Sequence, residues 1–266
     1  MPFARKRFGQ HFLEPAWVEK LVRAIAPEPG DTFLEIGPGH GALTRPLVAR
    51  AHRVLAFEID RDLAAELRVA ALPTLTIVEG DFLDVNADEI RRAQQGVGAL
   101  RVAGNLPYNV ASPILFKLIE LYAAGIPFID ATVMLQREVA DRLVAPPGTR
   151  DYGVLSVLVG YSASVERILT LPPGAFRPAP KVHSAVARLR FHAPQPPMRN
   201  PDVFASLVHA IFTRRRKTMA NALKAFPLSE RTPPALALRL ADLDGQRRPE
   251  TLSIAELAQL AEAFAK

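Results

Sequence analysis

Short apolar runs alternate with helical stretches through residues 31–136, and this alternation constrains the fold more than any other feature of the chain. Strands that alternate with helices at this spacing form parallel βαβ units. The pattern therefore predicts an α/β fold, built on a doubly wound Rossmann-like sheet. The apolar runs that we interpret as strands cover residues 32–36, 54–58, 75–78, 100–103 and 131–135.

Two later apolar runs, residues 165–171 and 184–191, are separated by a proline-rich loop. They are predicted to be strands that pack antiparallel on the edge of the sheet. The segment Pro-Gln-Pro-Pro at 194–197 then reads as a linker, and only helical patterns follow it. We therefore expect two domains, a catalytic one over 1–193 and a small, all-helical one over 194–266.

The composition is that of a globular protein. Of 266 residues, 49% are hydrophobic and 23% are charged, and none is cysteine. The absence of cysteine excludes a disulfide-stapled scaffold, a thiolate zinc site and a cysteine nucleophile, and we predict no metal site. No apolar stretch approaches the roughly 18 residues of a membrane helix. The basic N-terminus is not followed by an apolar segment, so we expect a cytoplasmic protein without a membrane partner.

The net charge is divided unevenly along the chain. Residues 1–187 hold 20 basic and 20 acidic side chains, whereas residues 188–266 hold 13 basic and 7 acidic ones. The C-terminal part thus carries the whole net charge of +6. A basic module beside a neutral one indicates a polyanionic partner such as RNA, and a charge that serves only solubility is the alternative.

A glycine-rich segment, EIGPGHG at 35–41, ends the first predicted strand and opens a helix. Glycines let the backbone turn sharply and approach a ligand closely. The spacing G-x-G-x-G differs from the G-x-G-x-x-G of dinucleotide enzymes. Led by an acid, it favours an S-adenosylmethionine loop that includes Gly37 and Gly39, with a nucleotide loop or a plain tight turn as alternatives.

Acidic residues end the next two predicted strands. Glu58 lies 21 positions after Gly37, where a carboxylate can accept hydrogen bonds from both hydroxyls of a ribose. Asp81 ends the third strand, where it can accept from the amine of an adenine. A solvated acid at Glu58 and a helix cap at Asp81 are the plainer interpretations.

The segment Asn105, Leu106, Pro107 and Tyr108 ends the fourth strand and is interpreted as the reaction centre. It suits methylation of an exocyclic amine on a base. The Asn105 side-chain oxygen and a neighbouring backbone carbonyl can accept the two N–H bonds, which aims the nitrogen lone pair at a sulfonium methyl group. The step is then governed by positioning and electrostatics. Tyr108 can stack on the extruded base, and a core tyrosine in a loop turn is the alternative.

These motifs follow one another along the chain, with FGQHFL at 8–13 before them and FRPAPKV at 176–182 after them. Taken together in this order, they resemble the ribosomal RNA adenine dimethyltransferase family, especially its small-subunit branch. The resemblance implies S-adenosylmethionine as the cofactor. It also implies two adjacent adenosines in a hairpin near the 3′ end of 16S rRNA as the target, each dimethylated on N6 within an assembling 30S subunit. By the same resemblance, His11 and Leu13 join the cofactor site of Gly37, Glu58, Asp81 and Asn105, and Phe176 supplies a second ring opposite Tyr108.

Several basic residues are candidates for phosphate contacts in RNA. Solvated charges without a partner are the alternative, and Arg248 is partly explained as a helix-start signal. The candidate phosphate contacts are Lys181, Arg214, Arg215, Arg216, Lys217, Arg247 and Arg248.

Two alternatives for the function stay open. One is a large-subunit rRNA adenine methyltransferase, and the other is a ribosome-assembly factor that mainly binds. A nicotinamide dehydrogenase is disfavoured. A monomer is the default expectation.

Overall fold

The computed structural model describes residues 11–94, 96 and 98–265. The chain divides into two compact units. The larger comprises Met1–Ala140 and Val165–Phe191, and the smaller comprises Asp141–Ser164 and His192–Lys266. In the part of the chain that the structure describes, no helix has the length and apolar character needed to cross a bilayer.

A seven-stranded sheet organises the larger unit, and a second sheet has two strands. The strands are β1 (Phe12–Leu13), β2 (Thr32–Ile36), β3 (Arg53–Glu58), β4 (Leu75–Glu79), β5 (Leu100–Asn105), β6 (Phe128–Gln136), β7 (Ala163–Leu171), β8 (Phe176–Arg177) and β9 (Ser184–Phe191). The strand order of the large sheet is β4-β3-β2-β5-β6-β9-β7, and the small sheet pairs β1 with β8.

The first five strands of the large sheet run parallel. Strand β2 pairs with β3 on one side and β5 on the other, and every residue of Thr32–Ile36 is buried. A strand buried on both faces is typical of a parallel sheet covered by helices. This arrangement confirms the predicted doubly wound fold. It also brings the carboxyl ends of β2, β3, β4 and β5 to one edge, where ligands bind in such sheets.

The last two strands lie at the other side of the sheet. Strand β9 pairs antiparallel with β6, with Ser184 opposite Gln136 and Arg190 opposite Asp130, and β7 lies next to β9. The predicted antiparallel packing is thus confirmed for β9, and β7 forms the edge of the sheet.

The helices are α1 (Pro15–Ile25), α2 (Thr44–Val48), α3 (Arg61–Val69), α4 (Ala87–Gln94), α5 (Ala111–Ala123), α6 (Arg137–Leu143), α7 (Val154–Gly160), α8 (Pro201–Phe212), α9 (Met219–Ala222), α10 (Pro234–Leu240) and α11 (Ile254–Phe264). Local signals in the sequence account for several helix ends. Pro15 occupies the first turn of α1, where a missing N–H costs nothing. The Asp60 carboxylate accepts from Asp62 N at the start of α3.

The smaller unit is helical and has its own apolar core. Tyr152 and Tyr161 are buried in that core together with Phe204 from α8, and the Tyr152 hydroxyl donates to Leu252 O at 2.9 Å. Because these two tyrosines pack there, Asp141–Ser164 belongs to the helical unit, although the sequence interpretation had assigned it to the catalytic domain.

Candidate functional site

The glycine-rich segment forms a tight turn at the carboxyl end of β2. Gly37, Gly39 and Gly41 all have positive φ, at 68°, 58° and 81°. A Cβ atom on Gly41 would lie 2.8 Å from the Leu67 side chain in α3, so the turn and the helix approach each other as closely as a glycine allows. The turn therefore lies tightly against α3 and lines the space in front of the sheet.

The Glu58 carboxylate holds this turn from the neighbouring strand. Its Oε2 accepts from Gly39 N and its Oε1 accepts from Asp60 N, both at 2.9 Å. The side chain is buried, and burial raises its pKa, an effect that the two backbone N–H donors partly offset. Each oxygen keeps a second lone pair, so the carboxylate can fix the glycine turn and also accept from a bound ligand.

A cavity of about 230 Å³ opens at this edge of the sheet. It brings together nearly all the residues that the sequence analysis assigned to the cofactor and the reaction. The lining includes His11, Leu13, Gly37, Gly39, Glu58, Asp81, Asn105, Leu106, Pro107 and Tyr108.

Asp81 caps a short helix and also lines the cavity. Its Oδ1 accepts from Leu83 N at 2.9 Å and so caps the short 3-10 helix Phe82–Asp84. The second carboxylate oxygen is a further acceptor that the cap does not use. Beside it, Phe82 is buried edge-on against Phe57, with ring centroids 5.5 Å apart. The helix-cap interpretation of Asp81 and its place in a ligand site are therefore compatible.

The turn at the end of β5 is anchored by its backbone and by the Asn105 side chain. Leu106 N donates to Met134 O in β6 at 2.9 Å, and Asn105 Nδ2 donates to His11 O at 2.8 Å. A Cβ atom on Gly104 would lie 2.7 Å from Ile36 O, so the strand before the turn needs a glycine that the sequence analysis did not identify. With its amide nitrogen engaged, Asn105 is left with its side-chain oxygen as the acceptor.

Residues 11–13, which we call the N-terminal strap, cross the cavity. The His11 ring donates from Nδ1 to Pro178 O at 2.8 Å and stacks on Tyr108 with centroids 5.4 Å apart. The Phe12 ring lies beside His40 of the glycine turn, at 4.7 Å. The strap thus contacts both the glycine turn and the Asn105 turn. The preceding part of the predicted cofactor segment, residues 8–10, lies outside the described residues.

The prediction that the Phe176 ring faces the target base is wrong for this structure. Phe176 is fully buried, pairs with Leu13 across β1 and β8, and packs in the apolar core with Met134 and Val186. A ring in this position fills core volume and does not line the cavity. The ring found next to Tyr108 is that of His11 instead.

Glu35 is a cavity residue to which the sequence analysis gave no separate role, although it is the acid that leads the glycine motif. Its side chain is 1% exposed, and its Oε2 has no hydrogen-bond partner among the described residues. Burial, reinforced by the negative charge of Glu58, raises the pKa of Glu35 to about 8. An orphaned, buried carboxyl oxygen in the cavity wall is a hydrogen-bonding group that a bound ligand can satisfy.

Replacing Glu35 with glutamine should remove a pH dependence of stability. Between pH 4.5 and about 8, the folded chain holds a proton on Glu35 that the unfolded chain has lost. The free energy of unfolding therefore falls as the pH rises from 4.5 to about 8, by an amount on the order of a few kcal/mol. Urea unfolding at several pH values checks this: Glu35→Gln should flatten the curve, whereas Glu28→Gln, at an exposed carboxyl, should not. If the free energy of unfolding of Glu35→Gln fell with pH as steeply as that of the wild type, Glu35 would not be the group responsible.

The predicted phosphate-binding residues divide into exposed and engaged ones. Arg215 Nε contacts Glu250 Oε2 at 2.7 Å, and Arg247 donates to both oxygens of Glu256 and to Thr251 O. Each of these two arginines already pairs with a carboxylate inside the helical unit, so the exposed cations are the stronger candidates for phosphate contacts. Four candidates of the helical unit are exposed, together with Lys181 of the larger unit; they are Arg214, Arg216, Lys217 and Arg248.

Two basic runs that are distant in sequence lie next to each other in the helical unit. Met219 N donates to Arg247 O at 2.7 Å, and Ala220 N donates to Gly245 O at 3.1 Å. These bonds join the chain just after residues 214–217 to the loop before Arg248. We refer to Arg214, Arg216, Lys217 and Arg248 together as the basic surface.

Comparison with known proteins gives consistent results. Residues 2–266 match the family described as Ribosomal RNA adenine dimethylase. A relative from Leptothrix cholodnii, named Ribosomal RNA small subunit methyltransferase A, is 46% identical over 82% of this chain and 79% of its own. A dimethyladenosine transferase from Plasmodium falciparum shares the fold at a TM-score of 0.74 and 24% identity, covering 94% of this chain and 96% of its own. The 23S rRNA methyltransferase ErmE has a TM-score of 0.66 at 26% identity, covering 96% of this chain and 100% of its own.

Fold, site and comparisons define a Rossmann-like methyltransferase that depends on S-adenosylmethionine. The chain belongs to the ribosomal RNA adenine dimethylase family. It is therefore an enzyme that dimethylates adenine in rRNA, as the resemblance of its motifs to this family implied. The cavity fits the cofactor chemically, because Glu58 and Asp81 keep acceptor capacity for hydroxyl and amine groups such as those of an adenosine, and a carboxyl oxygen of Glu35 is left without a partner among the described residues.

Proposed function

We propose that this protein methylates N6 of two adjacent adenosines in a hairpin near the 3′ end of 16S rRNA, dimethylating each during small-subunit assembly. The observation that carries the proposal is the Asn105–Tyr108 turn at the same cavity as the glycine turn and Glu58. The relative from Leptothrix cholodnii, named for the small subunit, supports the choice of target. We further propose that the protein acts in the cytoplasm as a monomer.

In the proposed mechanism, one half of the cavity holds the cofactor. Glu58 accepts from the ribose hydroxyls with the lone pairs that Gly39 N and Asp60 N do not use. Asp81 accepts from the adenine amine with the oxygen that does not cap the short helix. The bound cofactor supplies an electrophilic methyl group on its sulfonium. The strap residues His11 and Leu13 cover this half of the cavity and limit the access of water.

The other half of the cavity orients the target amine. Asn105 Nδ2 is held by His11 O, so Oδ1 points away from the strap and accepts one amine N–H. A backbone carbonyl of the same turn accepts the second N–H. Both contacts favour a pyramidal nitrogen whose lone pair faces the methyl group, and they require no general base before transfer. Tyr108 stacks on the base and keeps it out of the RNA helix.

In this proposal the basic surface of the helical unit contacts rRNA phosphates. Four exposed cations on adjacent segments provide a positive surface, which attracts a polyanion without reading its sequence. With the structural boundaries, the helical unit holds 13 basic and 9 acidic residues. Its positive charge is thus smaller than the C-terminal sequence alone suggested. Lys181 of the larger unit is a separate candidate contact.

Methylation of the large subunit is the second candidate function. The structural similarity to the 23S rRNA methyltransferase ErmE favours it. The two candidates are separated by incubating the protein with labelled S-adenosylmethionine and unmethylated small subunits, large subunits or free rRNA in parallel. We expect label on adenines of small-subunit rRNA. Labelling of large subunits alone would reject the proposed target, and binding to small subunits without labelling would indicate an assembly factor that mainly binds.

Replacing Glu58 with glutamine should weaken cofactor binding by roughly tenfold or more. Both carboxylate oxygens already accept from backbone N–H groups, so the glutamine NH₂ must face one of these donors, whichever way the amide turns. The glycine turn and the ribose contact are disturbed together. Calorimetry with S-adenosylhomocysteine measures the effect, and Glu79→Gln on the neighbouring strand serves as the control. An unchanged dissociation constant in Glu58→Gln would place the ribose contact elsewhere.

A further inference from the structure

A pair of hydroxyl groups connects the Tyr108 ring to strand β9 of the sheet. Tyr108 Oη and Ser184 Oγ lie 2.5 Å apart, a short hydrogen bond between side chains that are 76 residues apart in sequence. Ser184 is fully buried and is the first residue of β9. It does not line the cavity, so it contacts neither cofactor nor base directly.

The position of Ser184 is determined by the sheet. It lies opposite Gln136 in the β6–β9 pair, and the preceding residue, His183, accepts from Arg137 N at 3.0 Å. The Asn105 turn is bound to β6 as well, because Leu106 N donates to Met134 O of that strand. Strand β6 thus binds the backbone of the turn directly. Through its pairing with β9, it also holds Ser184, the hydrogen-bond partner of the Tyr108 hydroxyl.

A hydrogen bond and an aromatic stack hold the partly buried Tyr108 ring. Its polar contact in the described part of the chain is the one to Ser184, and its aromatic contact is the stack with His11, itself a residue of the strap. A ring held only by stacking can turn about its side-chain torsions. The bond to Ser184 adds a fixed point at the far end of the ring, which defines the plane that the ring presents.

We propose that Ser184 is a positioning residue, which holds the Tyr108 ring in the plane that receives the target adenine. The inference rests on the proposed stacking role of Tyr108. The phenol acts as a hydrogen-bonding group and not as an acid, since burial raises its pKa and keeps it protonated at neutral pH. Ser184 therefore acts on the base only through Tyr108, and it should not alter cofactor binding.

A double-mutant cycle tests this role. We expect Ser184→Ala and Tyr108→Phe each to lower kcat/KM for unmethylated small subunits by roughly 5- to 10-fold, the effect of one lost hydrogen bond. The double variant should lose no more than either single one, because both changes remove the same bond. Tyr108→Ala should lose more, because the stacking face is gone. The affinity for S-adenosylhomocysteine should be unchanged in Ser184→Ala, and Ser162→Ala, at a buried serine outside the cavity lining, should behave as wild type.

The outcomes separate the two proposals. Full activity of Ser184→Ala beside an impaired Tyr108→Ala would overturn the positioning role and leave the stacking role intact. Additive losses in the double variant, or a weaker cofactor affinity in Ser184→Ala, would likewise overturn it, since Ser184 would then act by another route. Full activity of Tyr108→Ala would reject the stacking role itself, and the positioning role with it.

Discussion

Replacing Asn105 with alanine should slow methyl transfer at saturating substrates by about 100-fold or more. The variant loses the side-chain oxygen proposed to orient the amine, and the loss of one preorganised group of this kind costs at least about 2.7 kcal/mol in the barrier. It also loses the donor to His11 O, so the strap is less firmly held over the cavity. Single-turnover transfer from labelled S-adenosylmethionine to unmethylated small subunits measures the rate.

A matched substitution separates the two functions of Asn105. Asn105→Asp keeps an acceptor but sets a carboxylate oxygen against the carbonyl of His11, which repels it. We expect this variant to weaken the binding of S-adenosylhomocysteine, because the strap lines the cofactor cavity. Asn105→Ala should change that affinity less than it changes the rate. Near-normal turnover of Asn105→Ala would reject the proposed mechanism.

Neutralising the basic surface should give the second large effect. Changing Arg214, Arg216, Lys217 and Arg248 to glutamine should weaken binding to the small subunit and leave cofactor affinity unchanged. If each cation contacts one phosphate, counterion release lowers the slope of log affinity against log salt by roughly 0.7–0.9 per contact, about 3 for the set. Binding measured across a salt series checks this. The choice of adenosine should survive, because phosphate contacts position a protein without reading bases.

Arg215 and Arg247 provide the control for that experiment. Both form ion pairs inside the helical unit, and Arg247 lowers the pKa of Glu256 to about 2 through its hydrogen bonds. Arg247→Gln should therefore lower the thermal midpoint of the protein and leave the salt slope nearly unchanged. If the four-residue variant keeps the wild-type slope, the basic surface is solvated and the RNA contacts lie elsewhere.

Local patterns in the sequence were sufficient for the parallel sheet and for the main wall of the site. Strand and helix periodicities are properties of neighbouring residues, so they identify β2 to β6 before any packing is known. In a doubly wound sheet, residues at the carboxyl ends of the strands meet at one edge. Gly37, Glu58, Asp81 and Asn105 could therefore be assigned to one cavity from their places at strand ends alone.

Contacts between distant segments could not be predicted in this way. The loop motif at 176–182 does not show whether Phe176 faces the cavity or the core; Met134 and Val186, which pack against it, decide that. An arginine run does not show which members have acidic partners, and Glu250 and Glu256 bind Arg215 and Arg247 from 35 and 9 residues away.

The burial of individual side chains could not be predicted from local sequence patterns either. The sequence determined the fold class, the family and the wall of the cavity, because periodicity and motif spacing are local. The tertiary structure decided that Glu35 is shielded from water, that Asp141–Ser164 packs with the C-terminal helices, and that Ser184 meets Tyr108. These features depend on which side chain fills the neighbouring space, and that is defined only when segments far apart in sequence pack together.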